Sequence, residues 1–309
     1  MSLVGGGTDL PSYASRFGGA VVGTSIDIRV VVSGDADRPR RNHYRVDLAT
    51  NPFAREMLRR YGTGVPPAIT SFCRVPAGTG LGSSAAFCVA LIAGLSAVPL
   101  SGIELAEAAA AIEIDALRRP VGKQDHYLCA LGGFHHLRFA RDGTVEVEPI
   151  VLRPAVAARL DAELLLFSTG VRRDAGQVLA GQNSGADPAI DRRLHQIKEL
   201  SDEVADALRT GDTIRIGRAI GQHWQLKKQL SDRVSLPAVE QAYRDAIAAG
   251  ATGGKILGAG GGGYLLMHAG EQAQADVRAV MAEHAMREQP FRFGRRGVER
   301  RDVSTPPVV

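Results

Sequence analysis

The residues with the most chemical potential in this sequence are glycines gathered beside hydroxyls, carboxylates and lysines. Pro76-Ala-Gly-Thr-Gly-Leu-Gly-Ser-Ser-Ala-Ala86 sets Gly78, Gly80 and Gly82 in alternation, directly ahead of Ser83, Ser84 and Ala85. Alternating glycines let successive backbone N–H groups face one point without Cβ obstruction, which makes an anion nest. A helix opening at Ser83 adds unpaired N–H groups and the positive end of its dipole, a combination that holds phosphate. The two serine hydroxyls either cap that helix or reach a magnesium ion. A plain glycine turn with a serine cap is the competing reading. The loop is not of the GxxxxGK[ST] type, because Gly253-Gly254-Lys255 is followed by Ile256. A GxGxxG match at Gly258, Gly260 and Gly263 runs into strand-like Tyr264–His268 instead of opening a helix, which argues against dinucleotide binding.

Two carboxylates follow the nest. Glu113 precedes Asp125 by twelve residues, and Gly122-Lys123 stands just ahead of Asp125. A phosphoryl transfer uses one carboxylate for magnesium and a second near the attacking hydroxyl. Lys123 keeps Asp125 ionised if their side chains meet, and is long enough to reach a phosphate oxygen. The rival readings are a solvated Glu113 paired with a nearby arginine, and Asp125 as a helix N-cap. Asp9, after Gly5-Gly6-Gly7-Thr8, can accept hydrogen bonds from two adjacent hydroxyls or cap a short helix after Pro11. Lys227 and Lys228, near Trp224, read as a solvated face. His135 and His136 are adjacent on a strand and so point to opposite faces, which excludes joint chelation.

These residues need a scaffold of both classes of element. Ala20–Val32 is β-branched and apolar, Tyr44–Leu48 alternates, and Ala68–Val75 reads as a strand leading into Pro76. Helical patterns follow from Ser83 to near Pro99, over Ile103–Leu117 with Ser101 or Gly102 as cap, and around Gln124–Leu131. Strands are expected near Gly133–Phe139, Thr144–Pro149, Glu163–Phe167, Tyr264–His268, Phe291–Phe293 and Val298–Arg300. The second half is mostly helical, over Asp174–Gly181, Pro188–Thr210, Asp212–Leu230, Pro237–Gly250 and Gln272–Arg287. With 309 residues and a boundary near Val151–Pro154, two domains are expected, residues 1–152 and 153–309.

Composition narrows the class. Hydrophobic residues make up 45% and charged residues 23%, which supplies a core and excludes general disorder. The formal charge is only +4, and its arginine clusters (Arg38, Arg40, Arg41 and Arg292 to Arg301) lack aromatic interleaving, so no nucleic acid partner is expected. No apolar run reaches the length of a bilayer span, and no basic leader opens the chain, so no membrane partner is expected either. Three cysteines without CxxC spacing disfavour a disulfide or zinc framework and fit a cytoplasmic protein.

Pro76–Ala86 resembles the signature loop of the GHMP small-molecule kinase superfamily, and Gly254–Tyr264 resembles its C-terminal glycine motif. Gly5–Tyr13, Phe17–Val22, Gly122–Asp125, Ser168–Asp174 and Trp224–Lys228 are similar to the heptose 7-phosphate kinase branch, close to fucokinase-type sugar kinases. The resemblance covers nearly the whole chain. It implies a two-domain α+β fold with a ribosomal-protein-S5-like N-terminal half and a ferredoxin-like C-terminal half, with ATP and a sugar phosphate bound between them. The reaction it implies is phosphorylation of the anomeric hydroxyl of D-glycero-D-manno-heptose 7-phosphate; the alternatives are an anomeric kinase of a free sugar such as fucose, or an inactive sugar- or nucleotide-binding sensor. By resemblance, Pro76, Gly78, Gly80, Leu81, Gly82, Ser83, Ser84 and Ala85 bind ATP. Ser84 and Glu113 hold Mg²⁺. Asp125, with Lys123, is catalytic, either accepting the hydroxyl proton or orienting the nucleophile. Gly6, Gly7, Thr8, Asp9, Gly170, Arg172 or Arg173, Gly260 and Gly261 join Asp125 in contacting substrate, the arginine through a sugar phosphate. A homodimer is compatible with the pattern. The sequence departs from the family twice. The family's arginine ahead of the first glycine loop would fall just before Met1, and His126 stands where glutamine is common.

Overall fold

In the computed structural model the described residues are 1–34, 44–48, 50–62, 68–171, 178 and 187–301. One antiparallel sheet runs in the order β1 (Ser2–Val4), β2 (Gly19–Ile26), β6 (Phe134–Phe139), β7 (Val145–Ile150), and β12 (Phe293–Gly294) also pairs with β2. Strand β2 is covered on both faces, so its apolar run is continuous instead of alternating. Val21 packs among α3 (Ser83–Leu95) and α5 (Gln124–Leu131), whereas Val22 faces the cluster shared with α7 (Pro188–Thr210). A small sheet of β3 (Val30–Ser33), β5 (Thr70–Cys73) and β4 (Tyr44–Arg45), in the order β3-β5-β4, and helix α2 (Pro52–Tyr61) flank α3. The Asn51 side chain caps α2 by accepting from the Ala54 N–H.

The second sheet orders β11 (Arg287–Glu288), β8 (Leu164–Ser168), β10 (Tyr264–His268) and β9 (Gly253–Ile256), all antiparallel. Around it lie α6 (Pro154–Glu163), α7, α8 (Thr213–Lys228), α9 (Pro237–Ala248) and α10 (Gln274–Glu283). Proline in the first turn of α6, α7 and α9 fits the missing N–H of that position. The expected helix at Asp174–Gly181 lies outside the described residues, Val178 excepted.

Helices α2 and α6 and strand β9 were not expected, and three expected elements take another form. The helix read over Ile103–Leu117 is α4 (Gly102–Ala110), opened by a Ser101–Glu104 capping box, followed by a π-helical turn at Ala111–Ala116. That wider turn re-aims the side chains after Ala110, and Glu113 becomes buried. The helix read over Gln272–Arg287 is shorter: after α10, Ala285 takes a positive φ of 55° and the chain turns into β11. Val298–Arg300 forms no strand and is held instead by the Val298 N–H on the Ala130 carbonyl.

Candidate active site

A cavity of about 470 Å³ opens where the two halves meet. One wall is the glycine loop. Gly78, Gly80 and Gly82 all adopt left-handed φ, at 77°, 84° and 72°, so the alternation has the conformation that a nest requires. Gly82 is also the N-cap of α3 and offers no side-chain cap, leaving that helix end open toward the cavity. Gly78, Gly80, Gly82, Ser83 and Ser84 line the cavity. Pro76, Leu81 and Ala85 do not: the Pro76 carbonyl anchors the Thr79 hydroxyl, Leu81 packs on the core, and Ala85 is buried inside α3. These three shape the loop without facing its contents.

The Ser84 hydroxyl donates to Glu113 Oε1 at 3.2 Å, so it reaches across to the acid instead of capping its own helix. Glu113 is 1% exposed. Burial opposes its charge, but the His126 imidazole at 3.0 Å, the Arg119 charge and the Ser84 hydroxyl outweigh burial and hold its carboxyl below the usual range. Arg119 Nε lies 3.1 Å from the same Oε1. The carboxylate is thus a buried anion, paired with an arginine but not solvated. Among the described residues no group of three or more His, Cys, Asp or Glu is arranged to hold a metal ion. A Ser84–Glu113 pair beside the glycine loop nonetheless suits Mg²⁺, which binds through one or two protein oxygens plus substrate phosphates.

Asp125 lines the cavity in the first turn of α5, against the nest; a Cβ added to Gly82 would stand 3.1 Å from its Cγ. Lys123 does not meet it. Its Nζ donates to both Glu107 oxygens, at 2.9 and 2.8 Å, and to the Gly143 carbonyl at 2.9 Å, outside the cavity. A strong acidic partner on α4 claims the charge that sequence proximity suggested for Asp125.

In the first glycine loop, Gly7 and Asp9 line the cavity. Asp9 does not cap α1 (Pro11–Phe17), whose N-cap is Leu10. Its carboxylate accepts from the Gly7 N–H at 3.2 Å and the Gln124 N–H at 3.1 Å, tying the loop to the start of α5. Burial, with the charge of Asp125 nearby, pushes its carboxyl up, and these N–H donors pull the other way. Thr8 faces away from the cavity. Its hydroxyl donates to the Gly5 and Ala20 carbonyls and accepts from the Ala20 N–H, so it sets the loop and is fully buried. Gly6 lies beside the Gln124 amide, whose buried Oε1 has no hydrogen-bond partner among the described residues. Gly170, Gly260 and Gly261 do not line the cavity, whereas Gly258 and Ala259 do. Arg172 and Arg173 lie outside the described residues.

Sequence reading passed over several cavity residues. Lys227 is buried instead of solvated, lines the cavity, and donates to the Gly258 carbonyl. Lys228 instead pairs with Glu240. Lys255, 1% exposed, donates to the Leu3 carbonyl at 2.9 Å and so ties β9 to β1 beneath the site. Phe53, Val30 and Phe87 supply apolar wall, and Arg119 a cation. Asn51-Pro52 is a helix-start signal from which α2, and with it Phe53, could have been read. The Trp224–Lys228 motif marked the stretch that holds Lys227 but not its burial, and no local signal marked Arg119.

The chain matches the models of the GHMP kinases N terminal domain over residues 48–133 and the GHMP kinases C terminal over residues 204–285. It is 26% identical to D-glycero-alpha-D-manno-heptose 7-phosphate kinase of Campylobacter jejuni, over 97% of this chain and 96% of that protein. With L-fucokinase/L-fucose-1-P guanylyltransferase of Bacteroides fragilis it shares 30% identity over 74% of this chain and 25% of that longer protein. A solved D-glycero-D-manno-heptose 1-phosphate kinase from Bacteriodes thetaiotaomicron has the same fold, with a TM-score of 0.73 at 23% identity, covering 96% of this chain and 94% of that one.

Proposed function

Because the chain belongs to the GHMP kinases and is thus an ATP-dependent kinase, we propose that it phosphorylates the anomeric hydroxyl of D-glycero-D-manno-heptose 7-phosphate. The products are the 1,7-bisphosphate and ADP. The similarity along nearly the full length of a heptose 7-phosphate kinase supports this substrate. The fucokinase similarity supports a second reading, an anomeric kinase of a free sugar.

One observation carries the mechanism: the Asp125 carboxyl packs directly against Gly82 of the phosphate nest, with Asp9 in the same cavity. The nest and the open end of α3 hold the phosphates of ATP, and the apolar wall around Phe53 and Phe87 receives the base. Ser84 and Glu113 would hold Mg²⁺, which supplies charge neutralisation on the phosphates. The sugar oxygen attacks the γ-phosphorus, the bond from that phosphorus to the bridging oxygen breaks, and ADP leaves with the electron pair. Asp125 orients the hydroxyl and takes its proton. Asp9 accepts from the sugar hydroxyls, and Lys227 adds positive charge at the far wall. Most of the acceleration then comes from positioning and charge stabilisation.

The test is ATP- and Mg²⁺-dependent phosphorylation followed by phosphorus NMR, comparing heptose 7-phosphate, sedoheptulose 7-phosphate, mannose and fucose. The expected result is a new anomeric phosphate on heptose 7-phosphate. Asp125→Asn should lower kcat by about 10²- to 10⁴-fold, the usual contribution of a general base. Turnover of free sugars only would replace the heptose with the second reading.

A further inference from the structure

The mechanism above leaves Arg119 unused, although it lines the cavity. The backbone goes to some length to deliver it. Arg119 follows the π-helical turn and Arg118, whose φ of 51° is left-handed, and its N–H closes on the Glu113 carbonyl at 3.0 Å. Left-handed backbone at an arginine costs about 1–2 kcal/mol, so the surrounding packing must enforce this turn. The side chain is 35% exposed, and its guanidinium lies over the Phe53 ring, 5.1 Å from the centroid. Nε is 3.1 Å from Glu113 Oε1 but off the line of a hydrogen bond. Among the described residues the guanidinium makes no hydrogen bond, although it carries five N–H donors. Ser84 Oγ donates to the same Oε1 at 3.2 Å. Nε and that hydroxyl therefore stand no more than about 6.3 Å apart, at the edge of the phosphate nest.

A guanidinium with its donors unspent, beside a nest for phosphate, is fitted to planar bidentate recognition of phosphate oxygens. Its partner is the acid proposed for Mg²⁺, so the guanidinium and the metal ion compete for the same carboxylate charge. We propose that Arg119 is a phosphate clamp that exchanges partners: without nucleotide it neutralises Glu113, and on nucleotide binding it turns on the Phe53 ring to grip the triphosphate. This rests on the kinase reading of the same cavity. Its consequence is a pair of effects of opposite sign. Removing the guanidinium should weaken binding of the nucleotide phosphates. It should also strengthen binding of a divalent cation alone, because Glu113 loses a competing charge.

Calorimetric titration of wild-type, Arg119→Gln and Arg119→Lys protein with Mg·ATP and adenosine, and with Mn²⁺ alone followed by paramagnetic resonance, tests this. Arg119→Gln should bind Mg·ATP about ten- to hundredfold more weakly, the worth of a charge-assisted pair. It should bind adenosine within about twofold of wild type, which also reports an intact fold, and Mn²⁺ more tightly. Arg119→Lys should recover part of the Mg·ATP affinity. Equal weakening toward Mg·ATP and adenosine, unchanged Mg·ATP affinity, or weaker Mn²⁺ binding would each overturn the exchange. A wild-type protein that binds no nucleotide would bring down the kinase reading and the exchange with it. Nucleotide binding without the predicted split would bring down the exchange alone.

Discussion

Gly82→Ala separates the placement of Asp125 from the general stability of the glycine loop. Gly82 sits at φ 72°, and an added Cβ would lie 3.1 Å from Asp125 Cγ and 3.3 Å from its Cβ. Alanine in this conformation costs about 1–2 kcal/mol, equivalent to a fall in Tm of about 2–8 °C for a chain of this size class. The contact adds a second effect, because the carboxyl must retreat by a few tenths of an ångström. Misplacement by about 1 Å can cost 10²-fold in rate, so a partial shift should lower kcat about tenfold. Gly133→Ala is the control. Its φ is 68°, it lies outside the cavity, and an added Cβ meets nothing within 4 Å, so it bears a positive-φ cost with no push on Asp125. Steady-state kinetics and thermal melts of both variants provide the comparison. If Gly82→Ala and Gly133→Ala lose similar stability and keep kcat within twofold of each other, the packing of Asp125 on the nest has no part in catalysis.

Lys123→Met should keep kcat within about threefold of wild type. The Lys123–Glu107 pair is partly exposed, 25% and 42% on the two sides, so its loss should cost at most about 1 kcal/mol; a hundredfold loss of kcat would return Lys123 to the site. Lys255→Met should change how stability depends on pH. Burial, with the charge of Lys227, pushes the Lys255 ammonium well below its ordinary 10.5, against the pull of Asp125. Between that lowered value and 10.5 the unfolded chain binds more protons than the native one, so this lysine makes stability rise with pH. The Tm of Lys255→Met relative to wild type should therefore be highest at low pH and fall as pH approaches 10. A difference that stays constant across that range would refute the assignment.

The chemistry of the chain was legible in its residues wherever it depends on the backbone. Gly78, Gly80 and Gly82 were readable as a nest because alternating glycine is a local property, and all three adopt the required φ. Helix α5 falls on the residues that its pattern marks, Gln124–Leu131, and Ser101 caps α4 through the local box with Glu104. Strand β9 was not legible because glycines carry no β signal. Gly253 and Gly254 are there so that α8 and β10 can close on the strand; a Cβ at Gly253 would stand 2.1 Å from the Gly217 carbonyl oxygen. The direction of charged side chains was least legible. Lys123 stands two residues from Asp125 yet bonds to Glu107, sixteen residues back, and Asp9 bonds to the Gln124 N–H, 115 residues on. The π-helical turn that buries Glu113 leaves no mark in a 3.6-residue period, and the burial of Lys227 and Lys255 depends on strands and loops far along the chain. Sequence thus determined where the backbone turns left-handed, at Gly78, Gly80 and Gly82, because φ preference belongs to each residue. Tertiary structure alone decided which ions face one another, because a charge takes the partner that folding brings within hydrogen-bond reach, whatever its distance along the chain.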